Sequence, residues 1–202
     1  EQVFVLTSTV FFMEAIVRGF FMSLMDIPSM ARLGTLDFVL TKPIDSQFWV
    51  SVRRFNLEQV GMIIVGAILL MVNISHTSAH VNLAGVLGYL ILILCALVIF
   101  YSFAVSLMTL GIFFMRIDNM WVLCDMTLEI ARYPTDIFAI GVRQALIYII
   151  PLGFLSTIPT KQLLNGFDPG LVALGIVWAI VFFLASRAFW KFAASKYASA
   201  SS

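Results

Sequence analysis

Glu14 and Arg18 lie four residues apart inside an otherwise apolar run. The acid precedes the base, which is the favourable order for an i,i+4 helical pair. An ionised side chain at the middle of a bilayer costs about 2.5–3.5 kcal/mol on insertion scales. Two such charges are therefore expected to pair and to face protein, either inside the fold or at a seam between subunits. Considered as an isolated pair, they should tolerate mutual exchange better than neutralisation of Glu14 alone. A second set, Asp118, Asp125, Glu129 and Arg132, recurs at steps of seven, four and three and so shares one helical face. Such a face can line a path for a cationic or amphipathic substrate, or simply balance Arg132, Arg143 and nearby bases. His76 and His80 have a spacing that could hold a metal on a helix, but no third ligand lies close by, and no metal site is expected. Cys95 and Cys124 fall within apolar segments and are expected as small buried residues, not a disulfide. The chain contains no G-x-x-x-x-G-K-[ST] and no H-E-x-x-H, so it carries neither that phosphate cradle nor that zinc constellation. No catalytic residues are assigned, and no enzyme activity is expected in this chain.

The elements that must position these charges are apolar helices. Of 202 residues, 61% are hydrophobic and only 11% are charged, and the mean hydropathy is +1.03. A soluble domain carries about 25% charged residues. The composition instead predicts an all-α, polytopic membrane protein with about five spans, taken as one transmembrane domain over 1–202. The expected spans are about 3–25, 60–74, 83–115 and 171–185, plus one crossing within 118–158. The third run exceeds what a bilayer core of about 30 Å requires, so it must tilt, break near Gly111 or project into water. Arg32, Lys42, Arg53, Arg54, Arg116, Arg187, Lys191 and Lys196 fall on one side if the spans alternate. The positive-inside rule makes that side, with the C-terminus, cytoplasmic. The first residue is Glu1 and no basic leader precedes the first run, so an earlier span is expected to be missing. A net charge of +1 gives no reason to expect nucleic acid as a partner.

Between the first two spans lies a half-polar stretch, GTLDFVLTKPIDSQFWVSVRRF, within a cytoplasmic segment of about 26–58. Met30, Leu33, Leu36 and Leu40 recur at steps of three, three and four, predicting one face of a short helix. Arg32 and Asp37 fall off that stripe. Lys42-Pro43 should end the helix, and Asp45 or Ser46 should cap a second one. In that second helix Phe48, Val52 and Phe55 share a face, as on an interfacial ramp into the next span.

The pattern Gly34, Leu36, Asp37, Leu40, Pro43 after a span resembles the permease subunits of ABC-2-type exporters. So do RYPTDIF, IPLGFLSTIPTKQLL and the closing FWKFAASKYASASS. The resemblance implies a six-span permease, in the bacterial inner (plasma) membrane, that pairs with a second permease. Cytoplasmic ATPase subunits would supply ATP and Mg, leaving this chain without a cofactor. It also implies that the stretch around Arg32, Gly34, Leu36, Asp37, Leu40, Lys42 and Pro43 couples to the ATPase. A re-entrant outer hairpin would occupy about 137–160, leaving 118–133 as the fifth span, whereas hydropathy alone prefers 137–158. The alternative function is an ion- or proton-coupled secondary transporter using Glu14, Asp125 or Glu129 as intramembrane acids. The cargo is not encoded in any motif found.

Overall fold

A computed structural model describes residues 2–77, 82–114, 120–148 and 151–197. Among them the chain is helical throughout, without strands. The order is α1 (Gln2–Phe20), a 3-10 turn (Met22–Asp26), α2 (Ile27–Arg32), α3 (Asp37–Leu40), α4 (Ser46–Val52), α5 (Gln59–Ser75) and α6 (Leu83–Phe113). Then come α7 (Trp121–Ala131), α8 (Ile140–Tyr148), α9 (Thr157–Asn165) and α10 (Pro169–Lys196), with short 3-10 turns before α8 and before α9.

Helices α1, α6 and α10 are long and apolar enough to cross a membrane, and α5, at 17 residues, is an apolar helix slightly shorter than these. The protein is an all-α membrane protein. Of the three outcomes open to the third run, tilting, breaking near Gly111 or projecting into water, the break does not occur: α6 runs unbroken for 31 residues, about 46 Å at 1.5 Å per residue. Gly111 serves another purpose. A Cβ there would come within 2.6 Å of the Pro28 ring, so glycine lets α2 lie against α6. The last span also outruns expectation, since α10 has 28 residues. Both long helices therefore have length to spare beyond the hydrocarbon core.

α6 is the central element. α10 packs along it, α2 and α9 lie against it, and α1 pairs with α5. Buried side chains of α6, among them Leu92, Ala96, Phe100 and Met108, join the core, with Cys95 nearby as a buried free thiol. The region expected to hold the fifth crossing is built differently from the other spans. Among the described residues, neither 118–133 nor 137–158 holds a single long helix; α7 has 11 residues, α8 nine and α9 nine. The pieces are tied together by polar contacts. The Ser156 hydroxyl donates to the Ala131 carbonyl at 2.5 Å, and the Thr135 N–H donates to Thr157 Oγ1 at 3.1 Å.

Candidate functional site

Two polar assemblies stand out in this apolar bundle. The first is the segment between α1 and α5. α2 ends because Gly34 takes φ +72°, in the left-handed region that favours glycine. Its N–H bonds back to Ala31 O, and the Leu36 N–H reaches Met30 O at 3.1 Å. This turn overturns the expectation of one helix with a continuous apolar stripe. Met30 and Leu36 point into the core, Leu40 is half-buried, and Leu33 is 72% exposed. Phe38, on α3, is equally exposed at 72%. Two large apolar side chains thus stand out from a polar segment, flanked in sequence by Arg32 and Asp37.

After the turn at Pro43, Asp45 caps α4 by accepting from the Phe48 N–H at 2.9 Å. α4 is amphipathic with its apolar side outward. Phe48 and Val52, with Phe55 just beyond, are exposed, while Gln47 and Ser51 are buried. That polarity suits a helix lying in a membrane interface, with lipid against the phenylalanines. On the buried polar side, Ser51 bonds both across to α6 and within α4. Ser51 Oγ and Tyr101 Oη lie 2.8 Å apart, and Ser51 Oγ is 2.7 Å from Gln47 O. Lys42 Nζ sits 3.7 Å from the centre of the Trp49 ring, a cation–π contact that closes the loop onto α4.

The C-terminal part of α10 holds this segment in place. Arg187 donates to Asp45 with both terminal nitrogens, Trp190 Nε1 donates to Ser46 Oγ at 2.9 Å, and Tyr197 Oη donates to Ala31 O at 3.3 Å. The Arg187 guanidinium, aided by the Phe48 N–H, holds the Asp45 carboxyl down at about 2. Burial and the nearby Asp37 carboxylate push the Tyr197 phenol up. Asp26 receives Arg54 at 3.0 Å and Arg53 as well. The base-rich loop and the base-rich C-terminal helix therefore share one end of the bundle.

The second assembly lies on α1 and α7. Glu14 Oε1 accepts from Arg18 Nε and Nη2 at 3.1 and 3.0 Å. Its other oxygen accepts from Arg132 at 2.9 Å, and Arg18 Nη2 also donates to Asp125 at 3.0 Å. The result is a chain of alternating sign, Asp125, Arg18, Glu14, Arg132. Residues one turn apart on α1 meet residues two turns apart on α7. Arg132 sits at the C-terminal end of α7, where the helix dipole favours a cation. Glu129 is exposed on the same helix and contributes to the field at Arg132. Asp118 and His80 lie outside the described residues. His76 ends α5, away from both assemblies.

A family model described as "ABC-2 family transporter protein" matches residues 1–201. The chain belongs to that family. No curated protein and no solved structure matches it. The family is one of membrane subunits of ABC-type transport, so the chain is a transport permease embedded in a membrane, and its family associates with ABC ATPases.

Proposed function

We propose that this ABC-2 permease moves its substrate out of the cytoplasm with energy from ATP and Mg bound on separate ATPase subunits. Residues 26–58 would receive the mechanical push. The observation that carries this reading is the contrast between the two sides of the segment. Its back is bound to α6 and α10 through Pro28, Ala31, Asp45 and Ser46. Its front carries the exposed Leu33 and Phe38. A knob on a rigid mount passes displacement to whatever the mount is fixed to, here two long helices. Leu33 and Phe38 would fill an apolar cleft on the ATPase, with Arg32, Asp37, Lys42 and Pro43 around them. Gly34 sets the angle between the two knobs, and Leu36 and Leu40 anchor them from behind. The base-rich end would then be the cytoplasmic end of a protein in the bacterial inner membrane. On the opposite side α8 and α9, with the turn between them, would form the outer re-entrant hairpin.

The exposed charges on α1 and α7 support pairing with a second permease. Arg18 and Arg132 are 41% and 54% exposed at the level of a span. Guanidinium groups so placed are costly against hydrocarbon and are better covered by protein or by a water-filled path. A secondary transporter is less well supported, because Glu14 and Asp125 are both committed to arginines.

Co-purification of the full chain with its cognate ATPase in mild detergent tests the coupling assignment. Leu33→Asp with Phe38→Asp should reduce captured ATPase at least tenfold, because two buried large apolar contacts are worth about 1.5–3 kcal/mol each. Asp37→Lys should reduce it less. Undiminished capture by the double variant would remove the assignment.

A further inference from the structure

A cavity of about 470 Å³ opens beside α4 at the base-rich end of the bundle. Phe20, Phe48, Val52 and Phe55 form its apolar wall and are all exposed. Phe183 of α10 lines it as well, and Arg54 and Arg187 are among the lining residues. The volume is that of a small-molecule site; the lining surface is almost wholly apolar and suits an acyl chain, and Arg54 and Arg187 are the lining residues that could meet a polar head. The cavity sits where the chain turns from α1 into the interfacial helix α4, the depth at which a lipid headgroup meets its acyl chains.

Charge selects among lipids. Arg53 and Arg54 share Asp26, and Arg187 and Lys191 act on Asp45. Four cations against two carboxylates leave a local excess of two positive charges. A guanidinium has five N–H donors, more than one carboxylate takes up, and its fork matches a phosphate. Gln47 adds a fully buried amide on the cavity wall that reaches Tyr101 Oη and Arg187 only at 3.4 and 3.5 Å.

We infer that this cavity binds an anionic glycerophospholipid from the leaflet at the base-rich end, its phosphate between Arg54 and Arg187 and one acyl chain along Phe20, Phe48, Val52 and Phe55. The inference needs no ATPase; it rests only on the chain being membrane-embedded.

The test is native mass spectrometry of the purified full chain, titrated with phosphatidylglycerol or with phosphatidylcholine of the same acyl chains. The first phosphatidylglycerol should bind at least fivefold more tightly than the first phosphatidylcholine. Arg54→Gln, at an exposed side chain, should remove most of that preference, since one interfacial base is worth about fivefold. Val52→Trp should fill the mouth and weaken both lipids, with the same size-exclusion profile as wild type. Lys196→Gln, at the C-terminal end of α10 and outside the cavity lining, should lower the preference much less than Arg54→Gln. Glycerol 3-phosphate, which has the anion without the chains, should fail to compete. Equal binding of the two lipids would overturn the inference, as would equal losses from Arg54→Gln and Lys196→Gln. Full competition by glycerol 3-phosphate would show an anion site instead and would also overturn it.

Discussion

Arg18 and Arg187 each hold a carboxylate from a distant element, yet they sit in different solvents. Arg18 belongs to a four-member chain on the side of α1, in a surface otherwise made for lipid or for another subunit. Arg187 grips Asp45 where α10 emerges beside a polar segment, and Asp45 also caps α4. In the first place water is scarce, so an unmatched charge is expensive and the charges must be counted together. In the second, water and nearby bases screen the pair, and its worth lies mainly in geometry. The same ion pair is thus a question of charge balance on α1 and one of attachment on α10.

The sharpest test of that difference is exchange. Glu14→Arg combined with Arg18→Glu keeps the pair on α1 intact. It also sets an arginine at 14 against Arg132 and a glutamate at 18 against Asp125. Two attractions become two repulsions, with an expected loss on the order of 5 kcal/mol. Glu14→Gln alone should cost less, about 3 kcal/mol, because Arg18 keeps Asp125. Both are measured as the fraction of monodisperse protein extracted in detergent and as its thermal midpoint. This ranking reverses the one drawn from α1 by itself. An exchange milder than the neutral variant would mean that α7 does not carry the partner charges.

That reversal shows where the sequence was legible. The i,i+4 order of Glu14 and Arg18, and the shared face of Asp125 and Arg132, could be read from spacing. That the two faces meet could not, because Arg132 and Glu14 are 118 positions apart and no local rule links them. The apolar stripe from Met30 to Leu40 misled for a definite reason. Spacing presumes a continuous helix, and one glycine at φ +72° rotates everything after it, burying Leu36 and leaving Leu33 outside. The α4 cap was readable because capping is local. The depth of Gln47 and Ser51 was not, because it depends on Tyr101 and Arg187 from other helices. The long spans were plain from hydropathy. The stretch from α7 to α9 was not, since short helices joined by prolines and polar contacts lack the periodicity that marks one crossing.

On the α10 side, substitutions at Asp45 should separate the cap from the ion pair. Asp45→Asn keeps a capping oxygen and loses the charge; Asp45→Ala loses both. The alanine variant should cost about 1–2 kcal/mol and the asparagine variant less than about 1 kcal/mol. Protease sensitivity of the loop between α3 and α4 reports the difference. Equal effects would mean that the cap contributes nothing and that the ion pair with Arg187 is all that Asp45 supplies.

The smallest expected effect is the response to pH. Asp45 is held at about 2 in the folded protein, below its ordinary value of 3.8. A group with a depressed folded pKa stabilises above its unfolded pKa and loses that contribution as pH falls through the folded one. The attachment should therefore be constant from pH 8 down to about 5 and weaken only between about 4 and 2. Asp45 is 38% exposed, so screening limits the change to about 1 kcal/mol or less. Fluorescence from a variant retaining only Trp190, whose indole donates to Ser46 beside the pair, follows the attachment directly. Its signal should be flat through the neutral range and shift below pH 4, and in Asp45→Asn the acid shift should vanish. A transition near pH 6 would point to another titrating group at this joint and would break the assignment of the attachment to Asp45 and Arg187.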